Sequence, residues 1–593
     1  MAEKKVRIAV INYDKCQPEA CGRFLCERIC PVNRTGKECI VIDEERKQPI
    51  LSEELCIGCQ ICSTKCPLKA ISIVNISAEL TQPIHQYGKN AFRLYRMPYP
   101  KKGAVVGLIG KNGIGKTTVL KILSGKITPN LGELEEGASL KRVIDFFKGK
   151  ELMNFFEELN KGKAKLSYKP QSIDFLPEKV KGKVNALLKK ADERKKLKEA
   201  VELLELTPIL DHSLKDLSGG ELQRIAIAVT FLREADYYFF DEPSSFLDVR
   251  QRLNAAKIIN SLAAEGKSVM LVEHDLAVLD YLSEYIHVFY GRPAVYGVVS
   301  SVKSVRNGIN EFLEGYLKDE NTRFREKELR FEVRPPSKSK KNKSFLQYPA
   351  LEKKFPSFSL KTSPGELMQG EVIGVLGPNA IGKTTFIKML ASAIKPDNTK
   401  LDFNLKVSFK PQKIESKEKL SVRELLSGKE IDKELFKSEI EKKLQINELM
   451  DLKLNELSGG ELQKVAVSLA LCREADLVLL DEPSAFIDVE ERLKMADIIR
   501  NVIEKKNRVG VIVDHDILFI DYISDRLIIF NGSPSKKGSA GKPTEMHEGM
   551  NSFLESLQIS FRRDSTTGRP RANKLDSVKD REQKEKREYY YSL

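Results

Sequence analysis

Long apolar runs are missing from this 593-residue sequence. No stretch approaches the about 18 uninterrupted apolar residues that a membrane span requires, so no transmembrane helix is expected. The first residues, Met1-Ala2-Glu3-Lys4-Lys5, lack the apolar core of a signal peptide. Histidine is scarce, six in all, and four of them (His85, His212, His287, His547) stand outside any motif and read as ordinary surface or core residues. Cysteine is absent beyond position 66 except for Cys472, which falls in a helical stretch and reads as core. Acidic residues fall short of basic ones, 84 against 99, for a net charge of +15. That balance favours a polyanionic partner, nucleic acid or ribonucleoprotein, over a merely lysine-rich surface. The chain is too long for one core, so three or more domains are expected.

What is present is a phosphate-binding loop written twice. Gly110-Lys111-Asn112-Gly113-Ile114-Gly115-Lys116-Thr117-Thr118 follows the apolar run 104–109, and Gly377-Pro378-Asn379-Ala380-Ile381-Gly382-Lys383-Thr384-Thr385 follows 372–376. Both fit G-x-x-x-x-G-K-[ST] between a predicted strand and a predicted helix. The glycines let backbone N–H groups curl around phosphates, and the helix N-terminus adds positive potential. Lys116 and Lys383 would reach β/γ oxygens, and Thr117 and Thr384 would ligate Mg²⁺.

Every downstream element recurs in order. Leu217-Ser218-Gly219-Gly220-Glu221 is echoed by Leu457-Ser458-Gly459-Gly460-Glu461, Asp241-Glu242-Pro243 by Asp481-Glu482-Pro483, Gln171 by Gln412, and His274 by His515. This set resembles the ATP-binding cassette (ABC) superfamily. The resemblance implies two ATP and two Mg²⁺, with Asp241 and Asp481 holding the metal through water and Gln171 and Gln412 sensing it. Glu242 and Glu482 would be general bases, and His274 and His515 would bond the γ-phosphate. It further implies head-to-tail closure: Lys116 and Thr117 would share ATP with Ser458 and Gly460, and Lys383 and Thr384 with Ser218 and Gly220. ABC domains place an adenine-stacking aromatic before the first loop, here Tyr87 with Phe92 as second candidate; Tyr348 is the corresponding candidate in the second cassette.

Nine of ten cysteines lie between Cys16 and Cys66. Cys56-x2-Cys59-x2-Cys62-x3-Cys66-Pro67 is the bacterial ferredoxin run, and Cys16-x4-Cys21-x4-Cys26-x3-Cys30-Pro31 is a looser version. With the fourth cysteine of each run crossing over, one [4Fe–4S] cluster is expected on Cys16, Cys21, Cys26 and Cys66, and the other on Cys56, Cys59, Cys62 and Cys30. Cys39 is left as a buried free thiol, with room for a ligand swap; two zinc sites are the rival reading. Electron transfer, a folding scaffold and a rigid arm moved by the ATPase all remain open as the clusters' use.

The repeat serves as a ruler. Gly110 to Gln171 spans 61 positions and Gly377 to Gln412 only 35, so the first cassette carries about 26 extra residues before Gln171. The segment around 141–165 reads as a helix–loop–helix broken near Gly149. Asn310-Glu311-Phe312-Leu313 followed by Arg323-Phe324-Arg325 is paralleled by Asn551-Ser552-Phe553-Leu554 followed by Phe561-Arg562-Arg563. These read as a repeated hinge whose arginines, with Arg569 and Arg571, are candidates for phosphate contact. Pro335 to Ser344 reads as a flexible basic linker.

The expected fold is α/β: a ferredoxin-like α+β domain (1–76), two P-loop cassettes (77–291 and 345–532), and hinge segments (292–344 and 533–593). That order resembles the ABC subfamily E, or RNase L inhibitor, family. The resemblance implies a cytoplasmic monomer whose two cassettes pair within one chain. It also implies ribosome recycling, with the small ribosomal subunit (rRNA and protein) and a class-I release factor or Pelota-type rescue factor as partners, and no membrane. About 26 extra residues are too few for the coiled coil of a Rad50 or SMC ATPase. A transporter subunit or an F-subfamily translation factor would leave the cysteines unexplained. The remaining alternatives are an iron–sulfur redox protein and another soluble ABC ATPase acting on nucleic acid.

Overall fold

The computed structural model describes residues 6–76, 80, 82–135, 137–331, 344–401, 405–412, 414, 420–428 and 430–591. Most of the basic linker 335–344 lies outside them. Among the described residues no helix is long and apolar enough to cross a membrane.

Residues 6–76 pair the strand Val6–Ile11 antiparallel with Ile71–Ile76, beside the hairpin Ile40–Asp43/Gln48–Leu51. The short helices Leu25–Ile29 and Ile61–Lys65 each stop at a Cys-Pro. A residue before proline is pushed out of the helical region. Cys30 and Cys66 accordingly sit at ψ 120° and 116°, which turns the chain away at the closing cysteine of each run.

Each cassette is built on a nine-stranded sheet. In the first, Tyr285–Arg292, Val105–Ile109, Ser268–Val272, Tyr237–Asp241 and Leu166–Lys169 run parallel in that order. Strands covered on both faces read as unbroken apolar runs, and all five residues of Val105–Ile109 and of Ser268–Val272 are buried. The second cassette repeats the order with Arg526–Ser533, Val372–Leu376, Val509–Val513, Leu477–Asp481 and Val407–Lys410. The sheets run on past residues 291 and 532: Tyr296–Val299 and Lys537–Ala540 pair back onto them, so the hinge elements proper begin later.

The insertion forms the helices Leu140–Phe146 and Glu151–Asn160, with Gly149 at φ +77° between them. Its apolar side, Val143, Phe147, Leu152, Phe155 and Phe156, packs into the first cassette's own core.

The hinge repeats as the helices Val305–Glu314 and Met546–Leu557, each followed by a small hairpin. The expectation of phosphate-facing arginines fails for its best-buried members. Arg569 and Arg571 are 0% and 8% exposed and both bond Asp280 of the first cassette. Arg563 faces Asp521 of the second, and Arg325 faces Glu490. A guanidinium removed from water needs a carboxylate partner, and these arginines have found theirs inside the fold.

Candidate active site

Both phosphate loops lie between a buried parallel strand and the helices Lys116–Leu123 and Lys383–Leu390. Gly110, Gly113 and Gly115 have φ of +159°, +70° and +100°; Gly377 and Gly382 have +152° and +102°, while Ala380 takes the left-handed place at +54°. Lys116 Nζ donates to the carbonyls of Gly110 and Lys111, both at 2.7 Å, and Lys383 Nζ to those of Gly377 and Pro378 at 2.8 and 2.6 Å. Burial lowers both ammonium groups to about 8, opposed by Asp488 for Lys116 and by Asp248 for Lys383. Thr117 hydrogen-bonds the Asp241 carboxylate, and Thr384 Oγ1 donates to Asp481 Oδ2 at 2.8 Å. Asp241 Oδ1 and Asp481 Oδ1 are buried without a partner. A hydroxyl beside an orphaned carboxylate oxygen suits a hard cation, so the donor set fits Mg²⁺. Thr118 Oγ1 lies 3.0 Å from Tyr87 Oη, and Thr385 is half-buried in the first turn of its helix.

The expected bases gather the expected sensors. Gln171 Nε2 donates to Glu242 Oε1 at 2.8 Å, and His274 Nε2 is 3.2 Å from the same oxygen. Gln412 and His515 meet Glu482 Oε1 at 2.6 and 3.4 Å. Burial raises Glu242, but the His274 hydrogen bond, with the charges of Lys116 and Lys169, outweighs it and holds the carboxyl below its ordinary value, while burial and Lys116 lower His274 itself toward the neutral imidazole. Burial and then the neighbouring Glu242 push Asp241 up to about 6.

Each phosphate loop faces the other cassette. Asn379 N donates to Asp248 Oδ2 at 2.7 Å and Asn379 Nδ2 to Phe246 O at 3.3 Å; Asn112 N donates to Asp488 Oδ2 at 3.3 Å. The rings of Phe246 and Phe486 meet edge-on across the seam at 5.7 Å. Ser218 and Ser458 cap the signature helices Gly219–Leu232 and Gly459–Cys472 through reciprocal Ser–Glu boxes. A Cβ on Gly220 would sit 2.9 Å from Phe246 O and 4.0 Å from Asn379 Nδ2, and one on Gly460 2.8 Å from Phe486 O. The head-to-tail closure expected from sequence is thus the arrangement the chain adopts. One pair has no counterpart: Lys111 Nζ reaches Glu490 at 3.1 Å, where the second site offers Pro378 and Arg250.

Tyr87 is 52% exposed, with Phe92 beside it, centroids 6.5 Å apart. A Cβ on Gly115 would meet Phe92 at 2.8 Å, so that ring roofs the first loop. In the second cassette Tyr348 is 2% exposed and packs on Phe386, so it is a core residue that no nucleotide base can reach. The matching place is held by Phe358, 3.0 Å from a Cβ on Gly382, and by Phe355, 40% exposed and stacked on it at 6.4 Å. The ruler contained the signal: Phe358 stands 24 positions before Gly382, and Phe92 23 before Gly115. Sequence reading also missed Glu273 and Asp514, whose buried carboxylates accept from Ser244 Oγ and Ser484 Oγ, each at 2.8 Å.

The cysteines enclose two cavities. One is lined by Cys16, Cys21, Cys26 and Cys66, the other by Cys30, Cys56, Cys59 and Cys62, the crossed grouping that the spacing predicts. None of the ten cysteines is in a disulfide. Burial pushes Cys26 up to about 12 and Cys62 up to about 11, so their thiolates need a cation's charge. The donor chemistry fits iron–sulfur clusters. Cys39, 1% exposed, lines the second cavity, while Cys472 is core, as expected. This domain is stitched to the first site's aromatic loop. Asn90 Nδ2 donates to Ala9 O and Leu51 O, both at 3.0 Å, and Arg93 Nη2 grips Glu53 at 2.9 and 3.0 Å.

Family comparisons agree with this geometry. The ABC transporter family model matches residues 99–245 and 360–485, a possible Fer4-like domain in RNase L inhibitor matches 6–38, and a 4Fe-4S binding domain matches 49–72. ABC transporter E family member 1 of Arabidopsis thaliana is 44% identical, with 100% of each chain covered. A model of ribosome-bound archaeal Pelota and ABCE1 superposes with a TM-score of 0.93 at 54% identity, covering 100% of both chains. A crystal structure of the archaeal ribosomal stalk protein aP1 with the archaeal ribosome recycling factor aABCE1 gives 0.82 at 54% identity, covering 86% of this chain and 99% of that one.

Fold and site therefore define a twin-cassette ABC ATPase with an iron–sulfur cluster domain. The chain belongs to the ABC subfamily E, the RNase L inhibitor family.

Proposed function

We propose that this chain is a cytoplasmic ribosome recycling factor. It would use ATP-driven closure of its cassettes to move the iron–sulfur domain and split post-termination or rescued ribosomes into subunits. The reading is carried by one observation: Asn90 and Arg93, on the aromatic loop of the first ATP site, are bonded directly into the iron–sulfur domain. A change at that site therefore moves the domain as a lever. Likeness over the full length to a protein placed on a ribosome with Pelota supports the same reading. The partners are the small ribosomal subunit, through rRNA and protein, and a class-I release factor or Pelota-type rescue factor; the protein works as a monomer.

Each of two ATP molecules lies between one phosphate loop and the opposite signature: Lys116, Thr117 and Asn112 with Ser458 and Gly460, and Lys383, Thr384 and Asn379 with Ser218 and Gly220. Thr117 and Gln171, or Thr384 and Gln412, with Asp241 or Asp481 acting through water, would hold one Mg²⁺ per site, which when bound would supply charge neutralisation at the leaving phosphate. Glu242 or Glu482 takes a proton from the attacking water as its oxygen bonds the γ-phosphorus and the bond to ADP breaks. His274 or His515 donates to the γ-phosphate. Bridging ATP favours the closed state, and its loss releases it. The crossed quartets Cys16, Cys21, Cys26, Cys66 and Cys30, Cys56, Cys59, Cys62 would hold two [4Fe–4S] clusters, whose bonds would stiffen the lever.

The test is sedimentation of purified ribosomes with the protein, a release or rescue factor, and ATP. Conversion to subunits is expected, and is lost in Cys56→Ser and in Lys116→Ala/Lys383→Ala. Intact ribosomes alongside brisk ATP hydrolysis would overturn the proposal, and redox titration of the clusters would then test the electron-transfer reading.

A further inference from the structure

The peptide of each expected base is held from three sides. Glu242 and Glu482 sit at φ +48° and +50°, the left-handed region that glutamate avoids. Such a conformation persists only where its surroundings over-determine it. The N–H of Glu242 donates to Val272 O at 3.0 Å, and that of Glu482 to Val513 O at 2.8 Å, on the strands leading to His274 and His515. The carbonyl of Glu242 accepts from Gln223 Nε2 of the signature helix at 2.7 Å, and Gln463 does the same for Glu482. The third donor is a lysine. Lys169 Nζ donates to Asp241 O at 2.8 Å and Glu242 O at 3.1 Å, and Lys410 Nζ to Asp481 O at 2.6 Å and Glu482 O at 3.1 Å.

Lys169 and Lys410 are 0% and 2% exposed. Each ends the strand that leads, through a proline, to Gln171 or Gln412. A left-handed turn brings two successive carbonyls to one side, where a single ammonium can donate to both. Neither lysine has a carboxylate at hydrogen-bonding distance among the described residues, and a buried cation spent on backbone carbonyls has a positional use. The arrangement occurs twice in one chain, so each cassette repeats the observation of the other.

We infer that Lys169 and Lys410 are positioning residues for ATP hydrolysis. Each locks the peptide of the adjoining base and thereby aims the Glu242 or Glu482 carboxylate at the attacking water. They also tie the Gln171 and Gln412 strands to the signature helices through one shared peptide. The inference rests on Glu242 and Glu482 being the bases.

The test uses the full-length, cluster-loaded protein and steady-state ATPase kinetics. Lys169→Met/Lys410→Met is expected to lower kcat about ten-fold or more with KM for ATP changed less than about two-fold, since the loss falls on the transition state. Lys169→Arg/Lys410→Arg, which keeps a donor, should recover part of kcat. Bound ATP should be retained, as in Glu242→Gln/Glu482→Gln. An unchanged kcat, a KM that rises in step with its fall, or Arg variants no better than Met would overturn the inference. If the Met variants do not fold, Gln223→Leu/Gln463→Leu removes the partner donor and must show the same split. Full turnover by Glu242→Gln/Glu482→Gln would instead remove the assignment of the bases.

Discussion

Arg571 grips Asp280 with two hydrogen bonds, Nε to Oδ2 at 2.7 Å and Nη2 to Oδ1 at 2.8 Å, across 291 positions of sequence. Asp280 lies six positions after His274, and Asp521 lies six after His515. Asp521 accepts from Tyr591 Oη at 3.2 Å and from Tyr590, with Arg563 at 3.6 Å. The C-terminal segment therefore straps the helices Leu276–Leu282 and Ile517–Ile523, which follow His274 and His515, through equivalent carboxylates.

Breaking that strap should be costly. Asp280→Ala leaves Arg569 and Arg571 buried with Asp564 as their remaining carboxylate among the described residues, and removing one member of a buried pair costs about 3–5 kcal/mol. Urea unfolding of the variant against the parent protein measures it. Arg306→Ala, whose side chain is half exposed, should cost far less.

Phe355 and Phe358 hold at the second phosphate loop the place that Tyr87 and Phe92 hold at the first. Stacking on a base is worth about 1–3 kcal/mol, so Phe355→Ala should weaken ATP binding roughly 5- to 150-fold. Tyr348→Ala should act on stability instead, because that ring is core. Nucleotide titration and thermal melting separate the two outcomes.

Cluster content should follow the two cavities. Cys26→Ser is expected to remove one cluster and Cys62→Ser the other, leaving roughly half the iron and sulfide each time. Cys39→Ser should leave iron content unchanged. Iron and acid-labile sulfide assays on the purified protein decide this.

At the seam, burial raises the Glu490 carboxyl, but Lys494 and Lys111 outweigh it and hold the group at about 2, below its ordinary 4.5. A depressed carboxyl contributes stability that is complete above the ordinary value and lost as pH falls toward the lowered one. Glu490's share of folding stability should therefore be lost between about pH 4.5 and 2, and Glu490→Gln should flatten that part of the dependence. Urea unfolding of the variant and the parent protein across this range measures it.

The residues that gather at the two phosphate loops were legible in sequence because their motifs are local. A phosphate loop, a signature, an acidic pair and a histidine each need a few residues at fixed spacing, and the internal repeat doubled every one. The crossed cysteine quartets were legible for the same reason, since a Cys-Pro ends its helix by local sterics. Residues whose role depends on distant partners were not. Tyr348 and Phe358 are both aromatics ahead of a phosphate loop, and only packing put the first in the core and the second over Gly382. Arg569 and Arg571 belong to a basic segment in sequence, yet in the fold they are charges withdrawn from water that must meet Asp280. Local chemistry is written in spacing; desolvation, which decides what a charge or ring is for, exists only once the chain has closed on itself.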